Sequence, residues 1–289
     1  MPPALLVALP LFPPPFPSPP SLRLARSRRR WSFALPDIMN PPPALSYLVP
    51  AAGKSHYGLP GEPFESRLLF AAEVAAFAHR GQTRKNRQAA PYINHPLNVA
   101  GILLREVGLL EDGDASRRPA HEDAILAGIL HDVVEDTDFT LDHIRLYFGD
   151  SVAKVVDEAT SNTALSKSDR KLDQITSGPM KSYPGRLVKL ADKVSNLRDL
   201  LLDQPRTWSA ERVLAYFAWS HAVCAGMRGT HPRLDALLDD IWQSTITLEG
   251  REFRCFDPET AERLRNIGIY GFTDEGDRAA AMADRAQGN

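Results

Sequence analysis

From residue 64 onward, apolar and polar positions alternate with the period of a helix. Leu126, Ile129, Leu130, Val133 and Val134 recur at i, i+3, i+4, i+7 and i+8, and Leu187, Leu190, Ala191, Val194 and Leu201 follow that spacing with small slips. Such spacing puts each set on one face of a helix, so both stretches are expected to be amphipathic helices with that face in the core. Val213, Phe217 and Cys224 mark a third. No sustained period-two alternation of β-branched residues is visible, and no Asn-Gly or Asp-Gly pair links two apolar runs as a hairpin would. The pattern predicts an all-α bundle of about eight to ten helices, the clearest at 64–80, 95–107, 120–134, 140–148, 150–160, 185–203, 209–227 and 233–245. Thr140 and Asp150 have the side chains of N-caps, with Gly149 separating the helices they would start. Residues 109–120 are polar and read as a surface loop, and 258–267 is weakly helical.

Proline changes the picture at the start of the chain. Of 24 prolines among 289 residues, 16 fall in residues 1–63, a density that excludes regular helix or central sheet. The expected organisation is a disordered leader at 1–63, one folded domain at 64–245, and an extension at 246–289 to which the sequence assigns no role. Arg23, Arg26, Arg28, Arg29 and Arg30 all precede the first acidic residue, Asp37, which is also the composition of a targeting presequence. The prolines oppose the amphipathic helix that a mitochondrial signal needs. The cytoplasm is therefore the expected compartment, with an organelle, mitochondrion or plastid, as the alternative if the leader is a transit peptide. Met39 is a second candidate start.

Charge and cysteine content remove several classes. With 34 Lys+Arg against 36 Asp+Glu, the net charge of −2 offers no global attraction to nucleic acid or anionic lipid. No apolar run reaches the roughly 18 residues needed to cross a bilayer. Neither nucleic acid nor membrane is an expected partner, and the oligomeric state is left open. Two cysteines, Cys224 and Cys255, are too few for a disulfide framework or a thiolate zinc site.

Chemistry concentrates in His131-Asp132-Val133-Val134-Glu135-Asp136, at the end of an otherwise apolar helix. Four ionisable groups in six positions are costly to bury without a cation or mutual pairing. An acidic helix end followed by a turn would also account for them. Two further sites tip the balance: Asn94-His95-Pro96 puts an imidazole just before a helix, and Asp192 lies on the polar side of an amphipathic one. Two imidazoles and two carboxylates form a mixed nitrogen and oxygen set, which suits an octahedral Mn²⁺ or Fe²⁺ better than a structural zinc.

The order His95, His131-Asp132, Asp192 resembles the HD phosphohydrolase superfamily, all-α metal-dependent enzymes that cleave phosphate esters and anhydrides. Pro91-Tyr92-Ile93-Asn94-His95-Pro96, HDVVEDTDFTLDHIRLYFG at 131–149, LVKLADKVSNLRDL at 187–200 and WSAERVLAYFAW at 208–219 are similar to the hydrolase domain of the RelA/SpoT family. The spacing is closest to its short stand-alone metazoan form. The resemblance spans roughly 64–245, with 109–120 as an insertion. It implies removal of the 3′-pyrophosphate from guanosine tetra- or pentaphosphate with one Mn²⁺ per chain, held by His95, His131, Asp132 and Asp192. Glu135 and Asp136 match the family's catalytic acidic pair, which orients and deprotonates a water.

The implied partner is a small phosphorylated nucleotide, a polyanion that needs positive charge near the metal. Arg84 and Lys85, in the polar loop at 81–92, match family residues near the substrate, as Asn196 matches a ribose-side contact and Tyr216 a nucleoside-side one. Arg212 is the i, i+4 neighbour of Tyr216. Lys167, with Arg170 and Lys171, is a third basic cluster that could reach a distal phosphate. His79 is expected to pack or hydrogen-bond rather than ligate. Too few residues follow 245 to hold the synthetase domain of the long family members. Two alternatives stand beside this reading. One is another nucleotide phosphohydrolase of the same type, such as one removing the 2′-phosphate of NADPH. The other is a non-catalytic nucleotide sensor, which the intact Glu135-Asp136 pair disfavours.

Overall fold

The computed structural model describes residues 61–108 and 115–267. The leader up to residue 60, Met39, most of the predicted loop at 109–114 and the tail from 268 lie outside the described residues. Among the described residues no helix is long and apolar enough to cross a membrane.

The fold is mostly helical. Helices α1 (Phe64–Ala78), α2 (Asn94–Ile102), α3 (Arg118–Leu130) and the single turn α4 (Val133–Asp136) are followed by α5 (Leu141–Ala159), α6 (Lys167–Ser177) and α7 (Tyr183–Leu202). Then come α8 (Ala210–Ala225), α9 (Pro232–Gln243), a hairpin of β1 (Thr245–Leu248) and β2 (Arg251–Arg254), and α10 (Pro258–Arg265). A π-helical turn, Leu103–Val107, extends α2.

Helix α3 is the axis, packing against α1, α2, α5 and α7. The sequence pattern reads it as one-sided, yet every residue from Ala124 to Leu130 is buried. Small residues make this possible: Gly128 lets Leu103 of the π-helical turn approach so closely that an added Cβ would lie 3.0 Å from its Cδ1. Thr140 caps α5 as expected, accepting from His143 N while the His143 ring accepts from Thr140 N. Gly149 breaks that helix with φ 88°, a conformation costly for residues with a Cβ, so the two predicted segments meet at a kink.

Two elements depart from the expectation. Helix α6 was not predicted, because Leu172 and Ile175 are its only apolar residues and neither is fully buried, too few to mark a stripe; Ser166 starts it by accepting from Asp169 N. The hairpin corrects the strand-free reading. Thr-Ile-Thr-Leu does alternate, with Ile246 and Leu248 buried, and Glu249-Gly250 turns the chain with φ of 51° and 76°. Both central residues of this tight turn need positive φ, and glutamate is an unusual first one. The packed structure continues beyond 245, since α10 docks on α8 and buries Leu264 completely. Leu264→Ala is accordingly expected to lower unfolding stability by about 2–5 kcal/mol in a denaturant titration. A change below about 0.5 kcal/mol, the level of surface substitutions, would mean that α10 is not part of the core.

Candidate active site

Three helices converge on one polar cavity inside this apolar frame. His95 comes from the first turn of α2. His131 and Asp132 occupy the break between α3 and α4, and Asp192 comes from the middle of α7. All but Asp132 are classed as buried, and its side chain is 18% exposed. The polar side of α7 is thus not a solvated face. Lys189, Asp192 and Lys193 are all buried against the site.

His95, His131 and Asp192 each offer one atom, all within 4.8 Å of one another, close enough to share an ion, and Asp132 approaches the same two imidazoles. The Nε2 atom of His95 is 3.3 Å from Asp192 Oδ1 and 3.6 Å from Asp132 Oδ2. His131 Nε2 is 3.2 Å from Asp132 Oδ2 and 3.8 Å from Asp192 Oδ1. Both rings are oriented from behind. His131 Nδ1 donates to Gly128 O at 2.9 Å, and His95 Nδ1 is 3.0 Å from Ser195 Oγ. These bonds leave each Nε2 aimed inward, as second-shell partners of metal-binding histidines do. His131 Nε2 is buried and, although 3.2 Å from Asp132 Oδ2, makes no well-directed hydrogen bond to it, an arrangement that leaves the atom open to a ligand.

The electrostatics also favour a cation. Burial opposes charge on His131, but Asp132 and Asp192 outweigh it and raise its pKa to about 9. The carboxylates therefore draw a proton to the point where a metal would bind. Asp192 is held well below the usual carboxylate range despite burial, by Lys193 and the two imidazoles. Burial lowers His95 toward the neutral, ligating form. Two imidazole nitrogens and two carboxylates thus fit a divalent cation.

Glu135 and Asp136 follow on α4. Glu135 is oriented by Ser161 N, which donates to Oε2 at 2.9 Å, with Arg170 3.9 Å from Oε1. Burial, together with Asp132 and Glu135, raises Asp136 to about 6. Tyr92 donates to Asp132 Oδ2 at 2.7 Å; burial and Asp132 push its phenol pKa upward, so it stays protonated and donates. The ring of Tyr92 lies 4.8 Å from that of His79, whose Nδ1 bonds Gln82.

The cavity of about 210 Å³ that holds these groups shares Arg84, Tyr92, Asp136, Asn196 and Tyr216 with a cleft of about 550 Å³. The loop at 81–92 folds back on itself through Arg84 N to Ala90 O, 2.8 Å, and so presents Arg84 to the cleft. The Arg84 guanidinium donates to Asn196 Oδ1 at 2.8 Å and Asp199 Oδ2 at 2.7 Å, and Asn196 Nδ2 donates to Asp192 Oδ1 at 2.6 Å. Lys85 lines the rim, exposed. Trp208 and Tyr216 form an aromatic wall, their ring centroids 5.6 Å apart. Arg212 lies 4.9 Å from the Trp208 ring and lines neither cavity. Lys167 is exposed and also lines neither; one helical turn on, Lys171 enters the smaller cavity, 3.3 Å from the centroid of Trp219.

Several site groups escaped sequence reasoning. Lys189 stands three residues before Asp192, and Lys193, directly after it, is the i, i+4 neighbour of Lys189; both lie in the stretch quoted from the sequence. Lys189 donates to Ala159 O at 3.1 Å, and burial lowers its pKa to about 8. Tyr92, Asp199 and Trp219 lie in stretches that carry the family resemblance, but their roles show only in contacts made across the fold.

Helices that bring two imidazoles and two carboxylates together from distant positions, three of them close enough to share an ion, with an acidic pair beside them, point to a class. Residues 71–218 match the HD domain family, and the chain belongs to it. It is 42% identical over 178 residues to guanosine-3′,5′-bis(diphosphate) 3′-pyrophosphohydrolase MESH1 of Mus musculus and of Homo sapiens, overlaps of 62% of this chain and 94% of either relative. A solved structure of a metazoan orthologue of SpoT that hydrolyses ppGpp and plays a role in starvation responses aligns with a TM-score of 0.56. Its sequence identity is 39%, over 61% of this chain and 93% of that one.

Proposed function

We propose that this chain is a metal-dependent phosphohydrolase that cleaves the 3′-pyrophosphate from guanosine tetra- and pentaphosphate, giving GDP or GTP and pyrophosphate, with Mn²⁺ as its cation. The observation that carries this reading is the meeting of His95, His131, Asp132 and Asp192, with Glu135 and Asp136 beside them, at the end of a nucleoside-sized cleft. The 42% identity to relatives bearing that activity in their name supports the substrate.

A divalent cation in this site supplies Lewis acidity toward the phosphate and lowers the pKa of water. The chain's own residues do the rest. Glu135, held by Ser161 N through Oε2 and with Arg170 3.9 Å from Oε1, accepts the proton of the attacking water, and Asp136 lies beside it as the second acceptor. Lys171 and Lys189 line the cavity and offset phosphate charge, and Arg84 and Tyr216 hold the nucleoside side. Arg84→Ala is expected to raise KM roughly ten-fold or more with a smaller change in kcat, since it removes binding common to ground and transition states. An unchanged KM would return the loop to a solvated role.

Asp136 must be ionised alongside Glu135 for the pair to take up the water's proton, so its elevated pKa sets a pH dependence. A carboxyl raised to about 6 is protonated, and useless as an acceptor, below that value. Activity should therefore rise with pH, and the bound cation can only pull the inflection lower. The logarithm of kcat/KM against pH is expected to break at or below about 6; a break above about 7 would remove Asp136 from this role.

The deciding experiment incubates the purified chain and Mn²⁺ with guanosine 3′,5′-bis(diphosphate) and, separately, NADPH, measuring pyrophosphate and orthophosphate. Pyrophosphate from the first supports the proposal. Orthophosphate from NADPH alone would replace it with a 2′-phosphatase, and no release from either would leave a nucleotide-binding protein.

A further inference from the structure

The two carboxylates of the cation site are held in different ways. Asp132 offers Oδ2 to both imidazoles, and the same oxygen accepts the Tyr92 hydroxyl at 2.7 Å. Asp192 divides its oxygens. Oδ1 faces His95 and His131, at 3.3 and 3.8 Å, and accepts from Asn196. Oδ2 turns away and accepts from Lys193 Nζ at 3.0 Å. Lys193 is itself only 3% exposed, and its ammonium lies 4.7 Å from the centroid of the Trp219 ring.

A monocation buried beside a site built for a dication is not what metal affinity alone would favour. Its repulsion acts through a poorly screened interior and weakens binding. An apolar residue in its place would pack without that penalty. Something other than ion retention is served by this lysine.

We propose that Lys193 is a positioning residue: it pins the outer oxygen of Asp192 so that the cation takes only one oxygen from this carboxylate, and it weakens metal binding in doing so. The proposal rests on reading the site as a metal-dependent hydrolase. Carboxylates bind cations through one oxygen or two, and a freely turning Asp192 could offer both. The second oxygen would occupy a coordination position that phosphate or water needs. With Oδ2 engaged by Lys193 and Oδ1 by Asn196, neither oxygen turns without losing a hydrogen bond.

A lysine that merely supports the fold and one that positions Asp192 give opposite results. Lys193→Met keeps the length and apolar stem and removes the charge and donors. Isothermal titration of the full-length protein with Mn²⁺ is expected to show binding roughly ten-fold tighter than in the parent, because a like charge has gone. Over the same substitution, kcat for guanosine 3′,5′-bis(diphosphate) should fall ten-fold or more while KM stays within about three-fold. Lys193→Arg retains charge and donors and should keep Mn²⁺ affinity within about three-fold of the parent. Saturating Mn²⁺ should raise the melting temperature of K193M by more than it raises that of the parent. Mn²⁺ binding by K193M that is weaker or unchanged overturns the proposal. If K193M is not recovered folded, K193Q is titrated instead and must show the same inversion. A parent that binds Mn²⁺ but hydrolyses neither nucleotide defeats the functional reading alone, since the order of Mn²⁺ affinities still decides the role of Lys193.

Discussion

Replacing Asp192 by alanine is expected to abolish metal retention and turnover together. The substitution removes one of two carboxylates from a site whose remaining ligands are two imidazoles and Asp132, and it deprives Lys193 and Asn196 of their shared acceptor. Lys193 then has its charge buried without the partner that compensates it, a loss worth about 3–5 kcal/mol for a broken internal ion pair. Hydrolysis should fall by several orders of magnitude, and equilibrium dialysis should recover no stoichiometric Mn²⁺. Asp132→Ala should behave alike, except that the group left behind is the Tyr92 hydroxyl. A variant that keeps full metal occupancy while losing activity would mean that Asp192 is not a ligand.

Glu135→Ala should separate what Asp192→Ala loses at once. Glu135 touches none of the four proposed ligands in the hydrogen-bond network; its contacts are Ser161 N and Arg170. Metal content and melting temperature should therefore stay near those of the parent, while kcat falls by about 10²–10⁴-fold, the usual range for a positioned proton acceptor. Partial rescue by Asp136 would put the loss at the lower end. Near-full activity would transfer the acceptor role from Glu135 to Asp136.

How much of this was legible beforehand differs by element. The helices with apolar stripes could be read, because burial of a face leaves a period in the sequence. Helix α6 could not, having no buried residue to leave one. The hairpin was hidden by its Glu249-Gly250 turn, where a glutamate takes the left-handed position that asparagine or aspartate commonly fills. Within the site, His95, His131, Asp132 and Asp192 stood out by residue type and by resemblance, and the fold brings them together. Lys167 shows the limit of reading charge without direction: of the cluster read as able to reach a distal phosphate, Lys171 lines the cavity, whereas Lys167 is exposed and does not. Trp219 was unreadable for a different reason, since an aromatic residue in an apolar stretch is by default core, and Tyr92, at the end of the polar loop, gains its role only from Asp132, forty residues on.

The lack of any buried residue in α6 has a thermal consequence. Apolar anchorage sets the free energy of local opening, and the helix that supplies Arg170, Lys171 and Gln174 to the cavity has the least of it. On warming, this cationic flank is expected to open before α3 and α7, so activity should be lost reversibly below the melting temperature of the fold; activity that persists up to global melting would show that α6 is held as firmly as the core.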